Sequence, residues 1–203
     1  MKKRQNQETR KKQDILLTAE IVFAERGFKG ATVREVAERA SIANSLIFYY
    51  FKNKSVLYEA VFESFFEQLE GLVQHSMSLD VDRLGILKEI MFGALDFFAI
   101  HRNLMKIIVR ELIDNGRLAQ KISQEYIKPV YDTIVEFLAE GEREAIFRNV
   151  DPVHFMQTLL GMSIFYFVAE PFVRAVGVRR PYGSQEIEKR KDEVWKQIRS
   201  RLT

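Results

Sequence analysis

From Ile15 to Leu202, apolar residues return every three or four positions, and no stretch alternates apolar with polar well enough to compete as a strand. That spacing gathers apolar side chains onto one helix face, so the chain can bury a core only by packing helix on helix, and an all-α fold is expected. At 203 residues, 47% of them apolar, there is material for one domain or two small ones. The absence of cysteine excludes disulfides, thiolate catalysis and cysteine-ligated zinc, and fits a reducing, cytoplasmic setting. The basic start MKKRQNQETRKKQD leads into an amphipathic stretch instead of an apolar block, so it does not read as a signal peptide. The most apolar window, Phe155 to Ala169, falls short of the roughly 20 residues of a membrane span and reads as a buried helix.

Boundaries follow from capping chemistry. Ile15, Leu16, Ala19, Val22 and Phe23 form the stripe of a first helix that ends at Gly27, a C-cap. Thr32 and Glu35 form a capping box that starts a second helix ending near Ala40. The run SIANSLIFYYFKNK, Ser41 to Lys54, then places a third short helix from about Ala43, with Ile42, Ile47 and Phe51 on its inner side. Two short helices joined by a three- or four-residue turn make a helix-turn-helix at about 32–51, whose second helix enters the DNA major groove. Asn53 is the expected N-cap of a long fourth helix joining two domains, 1–54 and 55–203. Further helices are expected at about Val81–Ile100, His101–Ile113, Leu118–Gly141, Asp151–Val176 and Gln185–Leu202, with Pro129 and Pro171 breaking or kinking theirs.

Charge supports a nucleic-acid partner for the head. Residues 1–54 carry 12 Lys or Arg against 6 Asp or Glu, whereas residues 55–203 carry 19 against 22. Lys2, Lys3, Arg4, Arg10, Lys11 and Lys12 form either an arm along the DNA backbone or a solubilising tail.

Residues 10–60 resemble the TetR family of bacterial helix-turn-helix transcriptional regulators. The resemblance rests on Phe23-Ala24-Glu25-Arg26-Gly27-Phe28, Ala31-Thr32-Val33-Arg34-Glu35-Val36-Ala37 and Ile47-Phe48-Tyr49-Tyr50-Phe51-Lys52-Asn53-Lys54. It implies a three-helix DNA-binding bundle followed by a larger helical ligand-binding and dimerisation domain, and a homodimeric repressor released from a near-palindromic operator by a small apolar or amphipathic ligand. Carried over by position, phosphate contacts fall on Thr32, Tyr49, Tyr50 and Lys54. Base reading falls on Arg34, Asn44, Ser45 and Leu46, with Ala43 leaving room for close approach. Ser41 stands where the family usually has a turn glycine, Phe48 where it has a tyrosine, and Tyr50 where it has a histidine. Those departures alter the reading helix, so no operator transfers from a relative.

The resemblance implies a pocket among the remaining helices, expected at Phe97, Phe98, His101, Met105, Ile108, Tyr126, Tyr131, Met156 and Phe165, with Leu160 beside them and Arg110, Glu111 and His154 as further polar candidates. Dimer stripes are expected at Phe155, Leu159, Met162, Tyr166 and Val173, and at Ile187, Val194, Trp195, Ile198 and Leu202. No phosphate loop, nucleophile elbow or metal-ligand spacing is present in the sequence, so neither an enzyme nor a cofactor is expected. A second regulatory reading keeps the DNA head but has the C-terminal domain recruit a protein partner.

Overall fold

The computed structural model describes residues 2–148 and 150–202, with side chains from Gln7 onward; the side chains of Lys2, Lys3 and Arg4 lie outside the described residues. The described residues form helices and one π-helical stretch, with no strand.

The head comprises α1 (Lys2–Gly30), α2 (Val33–Arg39) and α3 (Asn44–Tyr50). The chain leaves helical geometry at Gly27, at φ 66°, where a C-cap is expected, and a last turn follows to Gly30. Only glycine takes that left-handed conformation without cost. Thr32 caps α2 by accepting from the Glu35 amide at 3.1 Å, while the Glu35 carboxylate accepts from Arg39 and Arg26 at 2.7 and 3.3 Å. Helix α2 closes with the amides of Ser41 and Ile42 donating to the carbonyls of Glu38 and Ala37, the hydrogen-bond pattern of a left-handed C-cap. Ser41 is accordingly at φ 54°, the conformation that a turn glycine would take freely.

Helix α4 (Lys54–Met77) begins at Asn53, whose side chain accepts from the Val56 amide at 3.0 Å. It packs on α1 and on α5 (Arg83–Ile100), which leads to α6 (Arg102–Ile113). Then α7 (Ala119–Lys121) passes through a π-helical stretch, Ile122–Ile127, into α8 (Lys128–Arg143). Pro129 does not break this run: the Lys128 amide reaches back to Ser123, and the widened turn gives room where the proline ring would meet a carbonyl in a regular helix. Pro171 does interrupt its helix, dividing α9 (Pro152–Val168) from α10 (Glu170–Ala175). Last comes α11 (Ser184–Leu202).

One contiguous core runs from Ile15, Val22 and Phe23 in the head to Leu202 at the far end. It also absorbs most of the expected dimer stripes. Leu159, Ile187, Val194, Ile198 and Leu202 belong to this core, Val173 is buried, and α11 lies against α5 with Trp195 edge-on to Phe92. The exposed apolar residues of this region are Val153, Phe165, Phe172 and Val176, with the Phe165 and Phe172 rings 6.0 Å apart.

Candidate DNA-binding and ligand-binding sites

Helix α3 is held to the head by Ile47 and Phe51, both buried, which turns Asn44, Ser45, Phe48 and Tyr49 outward. Tyr49 is 73% exposed and Phe48 49%, whereas Leu46 is half-buried. Phe48 therefore shares the open face with Asn44 and Ser45, where the sequence reading gave greater weight to Leu46. Its spacing, four residues after Asn44 and three after Ser45, was the available signal. Thr32, Arg34 and Ala43 are exposed. Arg34 pairs with Glu38 at 2.8 Å on the same helix, so reaching a base edge would require exchanging a solvent-exposed ion pair. The Tyr50 hydroxyl donates to the Glu8 carbonyl at 3.4 Å, bracing α3 against α1.

Lys54 sits differently from its expected place on a phosphate. Its ammonium donates to the carbonyls of Phe28 and Ala31 at 2.8 and 3.0 Å and lies 4.6 Å from the Phe28 ring centroid. With two of three donors engaged, Lys54 fastens the start of α4 to the end of α1.

A cavity of about 400 Å³ opens among α4, α5, α6, α8 and α9. Of the expected pocket residues, Phe98, Met105, Ile108, Tyr131 and Met156 line it, as does Leu160. The other four do not. Phe97 and His101 pack against each other with ring centroids 4.5 Å apart, Tyr126 stacks on Phe66, and Phe165 faces outward. Phe65, Phe66, Leu69 and Val73 of α4, none of them among the expected pocket residues, form a wall; helical spacing can place such residues in a core without showing that the core is hollow. Among the described residues no charged side chain lines the cavity. Its polar side chains are Ser123, Tyr131 and Ser163, and the first two donate their hydroxyl hydrogens to the carbonyls of Ala119 and Val153.

Polar contacts join this cavity's walls to the head and to each other. Glu20, in α1 and only 6% exposed, lies 3.1 Å from His101 Nδ1 and accepts from the Leu104 amide at 3.2 Å, so a carboxylate from the head caps the N-terminus of α6. At the other end of α6, Glu111 accepts from the Tyr58 hydroxyl at 2.9 Å and the Leu118 amide at 3.1 Å. Burial, then the adjoining Glu111, pushes the Tyr58 phenol far above its usual range, so it remains a donor. Tyr58 also packs on Phe23 and Phe28 of α1. Phe65 lies between the two regions: it lines the cavity, it lines a cleft of about 190 Å³ beside Glu20, and it meets His101 edge-on at 5.5 Å. His101 and Glu111, candidates for holding a ligand, are thus engaged elsewhere, His101 with Glu20 of the head and Glu111 with Tyr58 of α4.

Residues 15–61 match the family model described as "Bacterial regulatory proteins, tetR family", and residues 86–198 match "Tetracyclin repressor-like, C-terminal domain". The chain belongs to the TetR family. It is a transcriptional regulator with the helix-turn-helix head and helical C-terminal region of that family. Among TetR-family relatives, "Probable HTH-type transcriptional regulator YttP" of Bacillus subtilis is 25% identical over 84% of each chain. "HTH-type transcriptional repressor KstR2" of Mycolicibacterium smegmatis is 25% identical over 80% of this chain and 82% of its own. The fold also matches the crystal structure of the regulator FadR from Bacillus subtilis in complex with stearoyl-CoA, with TM-score 0.73 at 18% identity, covering 94% of this chain and 99% of the other. Among the described residues no helix is long and apolar enough to cross a membrane.

Proposed function

We propose that this regulator is a cytoplasmic homodimeric repressor that leaves a near-palindromic operator when a small apolar or amphipathic ligand fills the cavity. The observation that carries the reading is the double role of α4 and α6. Both helices wall the cavity, and both are fastened to the head, α4 through Lys54 and α6 through Glu20. A ligand that spreads these walls strains the ties and changes how the two heads of a dimer are spaced on successive turns of DNA, about 34–36 Å apart. The shift is limited to the ligand's differential affinity for the two arrangements; full reversal from 1:99 to 99:1 needs about 5.5 kcal/mol. At roughly 0.8 kcal/mol per buried methylene, about seven methylenes accommodated in only one arrangement would suffice.

Asn44, Ser45 and Phe48 are assigned to base edges, with Arg34 joining them after exchange from Glu38, and Tyr49 and Thr32 to phosphate. The half-buried Leu46 flanks this face, Ala43 leaves room beside it, and Tyr50 and Lys54 hold the head together. The exposed apolar side of α9 and α10, with Phe165 and Phe172, is assigned to the second copy. KstR2's name as a repressor and FadR's complex with stearoyl-CoA support the sign of regulation and a chain-like ligand. The cavity within the helical core favours a small ligand over a recruited protein. The test is selection of bound duplexes from random DNA at two salt concentrations. A two-fold related motif and a falling affinity at higher salt are expected; the absence of an enriched motif would overturn the reading.

A further inference from the structure

The cavity can hold a chain but has no charged group to hold a head, so any charged part of a ligand must lie at its mouth. We place that mouth between α6 and the end of α9. Val109 lines the cavity and also an open basin of about 430 Å³, whose other walls are Lys106, Arg110, Ile113, Asp114 and Val168. Leu112, a cavity residue, is itself 38% exposed. Lys106 and Arg110 are four residues apart and so lie on one face of α6, beside the apolar pair Val109 and Ile113. Two cations face one carboxylate, Asp114, among the basin's lining residues. Lys106 is also paired with Glu170 at 2.9 Å, whereas Arg110 makes no ion pair among the described residues and is exposed.

Resting on the ligand-release reading above, we propose that the effector is a single-chain acyl compound with an anionic head. The chain enters past Val109 and Leu112 and fills the cavity, and Arg110 and Lys106 bind the carboxylate or phosphate outside. Arginine suits this place because its planar fork donates two parallel hydrogen bonds to either anion. Lys106 contributes by exchanging Glu170 for the ligand, which leaves Glu170 with Arg174, 2.9 Å away. Opposite charge at the mouth and an uncharged interior also set the direction of entry, chain first.

The test is calorimetric titration of the full chain with three probes sharing a twelve-carbon chain: dodecanol, laurate and lauroyl-CoA. At least one anionic probe is expected to bind about tenfold or more tightly than dodecanol, the increment of one charge-assisted contact. Laurate binding more tightly than lauroyl-CoA, whose thioester carries no carboxylate, identifies the carboxylate as the head; preference for lauroyl-CoA identifies the phosphates. Arg110→Gln, alone and with Lys106→Gln, should bring the anionic probe down to the level of dodecanol and exceed any effect of Lys196→Gln on the distant α11; dodecanol should bind these variants as it binds wild type, so a loss confined to the anions separates the head contact from a damaged fold. Dodecanol binding equal to that of both anions, or unchanged anion affinity in the double variant, overturns the headgroup site while leaving the cavity reading intact. If none of the three probes binds, both readings fall.

Discussion

Replacing Glu20 with alanine removes the carboxylate with which the head caps α6. Two interactions are lost. The Leu104 amide loses its cap, which costs about 0.5–2 kcal/mol in measured helices. His101, only 7% exposed, loses its hydrogen-bond partner inside the core, for about 1–3 kcal/mol more. Both losses arise at one carboxylate, so they overlap, and the expected total is roughly 2–4 kcal/mol. Glu20→Gln should cost less than half as much. Its amide oxygen can still accept from Leu104 while its NH2 donates to a neutral His101 tautomer. The assay is urea unfolding at fixed protein concentration, because a dimer's midpoint moves with concentration. A second readout separates a structural tie from a transmitting one: operator affinity with and without the bound probe. In Glu20→Ala the ratio of the two affinities should fall toward one even though the cavity still binds the probe. An alanine variant within 0.5 kcal/mol of wild type would refute the energetic argument, and an unchanged ratio would refute the transmitting role.

Other residues give independent checks. Ser41→Gly should raise stability by about 1 kcal/mol in urea unfolding, the relief of a left-handed serine less the entropy of a new glycine. Gly141→Ala should lower it by about 1–3 kcal/mol, because an added Cβ would meet the Phe147 ring at 2.3 Å. Phe48→Ala should change which bases are enriched in a duplex selection, whereas Tyr49→Phe should weaken all duplexes about equally; the reverse pattern would show that the two were misassigned. Lys106, then Arg174 and Tyr182, hold the Glu170 carboxyl below its usual value. Its contribution to stability is therefore complete above the unfolded carboxylate range and is lost as pH falls through the lowered value. Wild type and Glu170→Gln should differ near neutral pH and converge in acid.

Much of this was legible because capping chemistry is local. Thr32, Asn53 and Asp151 start their helices from side chains a few residues away, and Ser41 showed its left-handed turn by standing where relatives carry glycine. Helical periodicity placed Ile47 and Phe51 inside, and the same geometry should have placed Phe48 with Asn44 and Ser45 on the open side. What was not legible depends on contacts distant in sequence. Nothing local says that Lys54 will reach the carbonyls of Phe28 and Ala31, or that His101 will meet Glu20, 81 residues away. Periodicity also cannot distinguish a filled core from a hollow one: Phe65 and Leu69 have the same spacing as Val61 and Leu57, yet only the first two line the cavity. It equally cannot say what covers an apolar stripe, which is why Val194 and Ile198 seemed free for a second copy when α5 already covers them.

The central claim is that filling the cavity weakens DNA binding through α4 and α6. Its most direct test is the anisotropy of a labelled duplex, taken from the selection, titrated with protein in the presence and absence of saturating lauroyl-CoA. The expected result is a loss of affinity in wild type that disappears when Ser163→Phe, projecting into the cavity, blocks the probe. Equal duplex affinity with and without the probe, while calorimetry shows the cavity occupied, would contradict it.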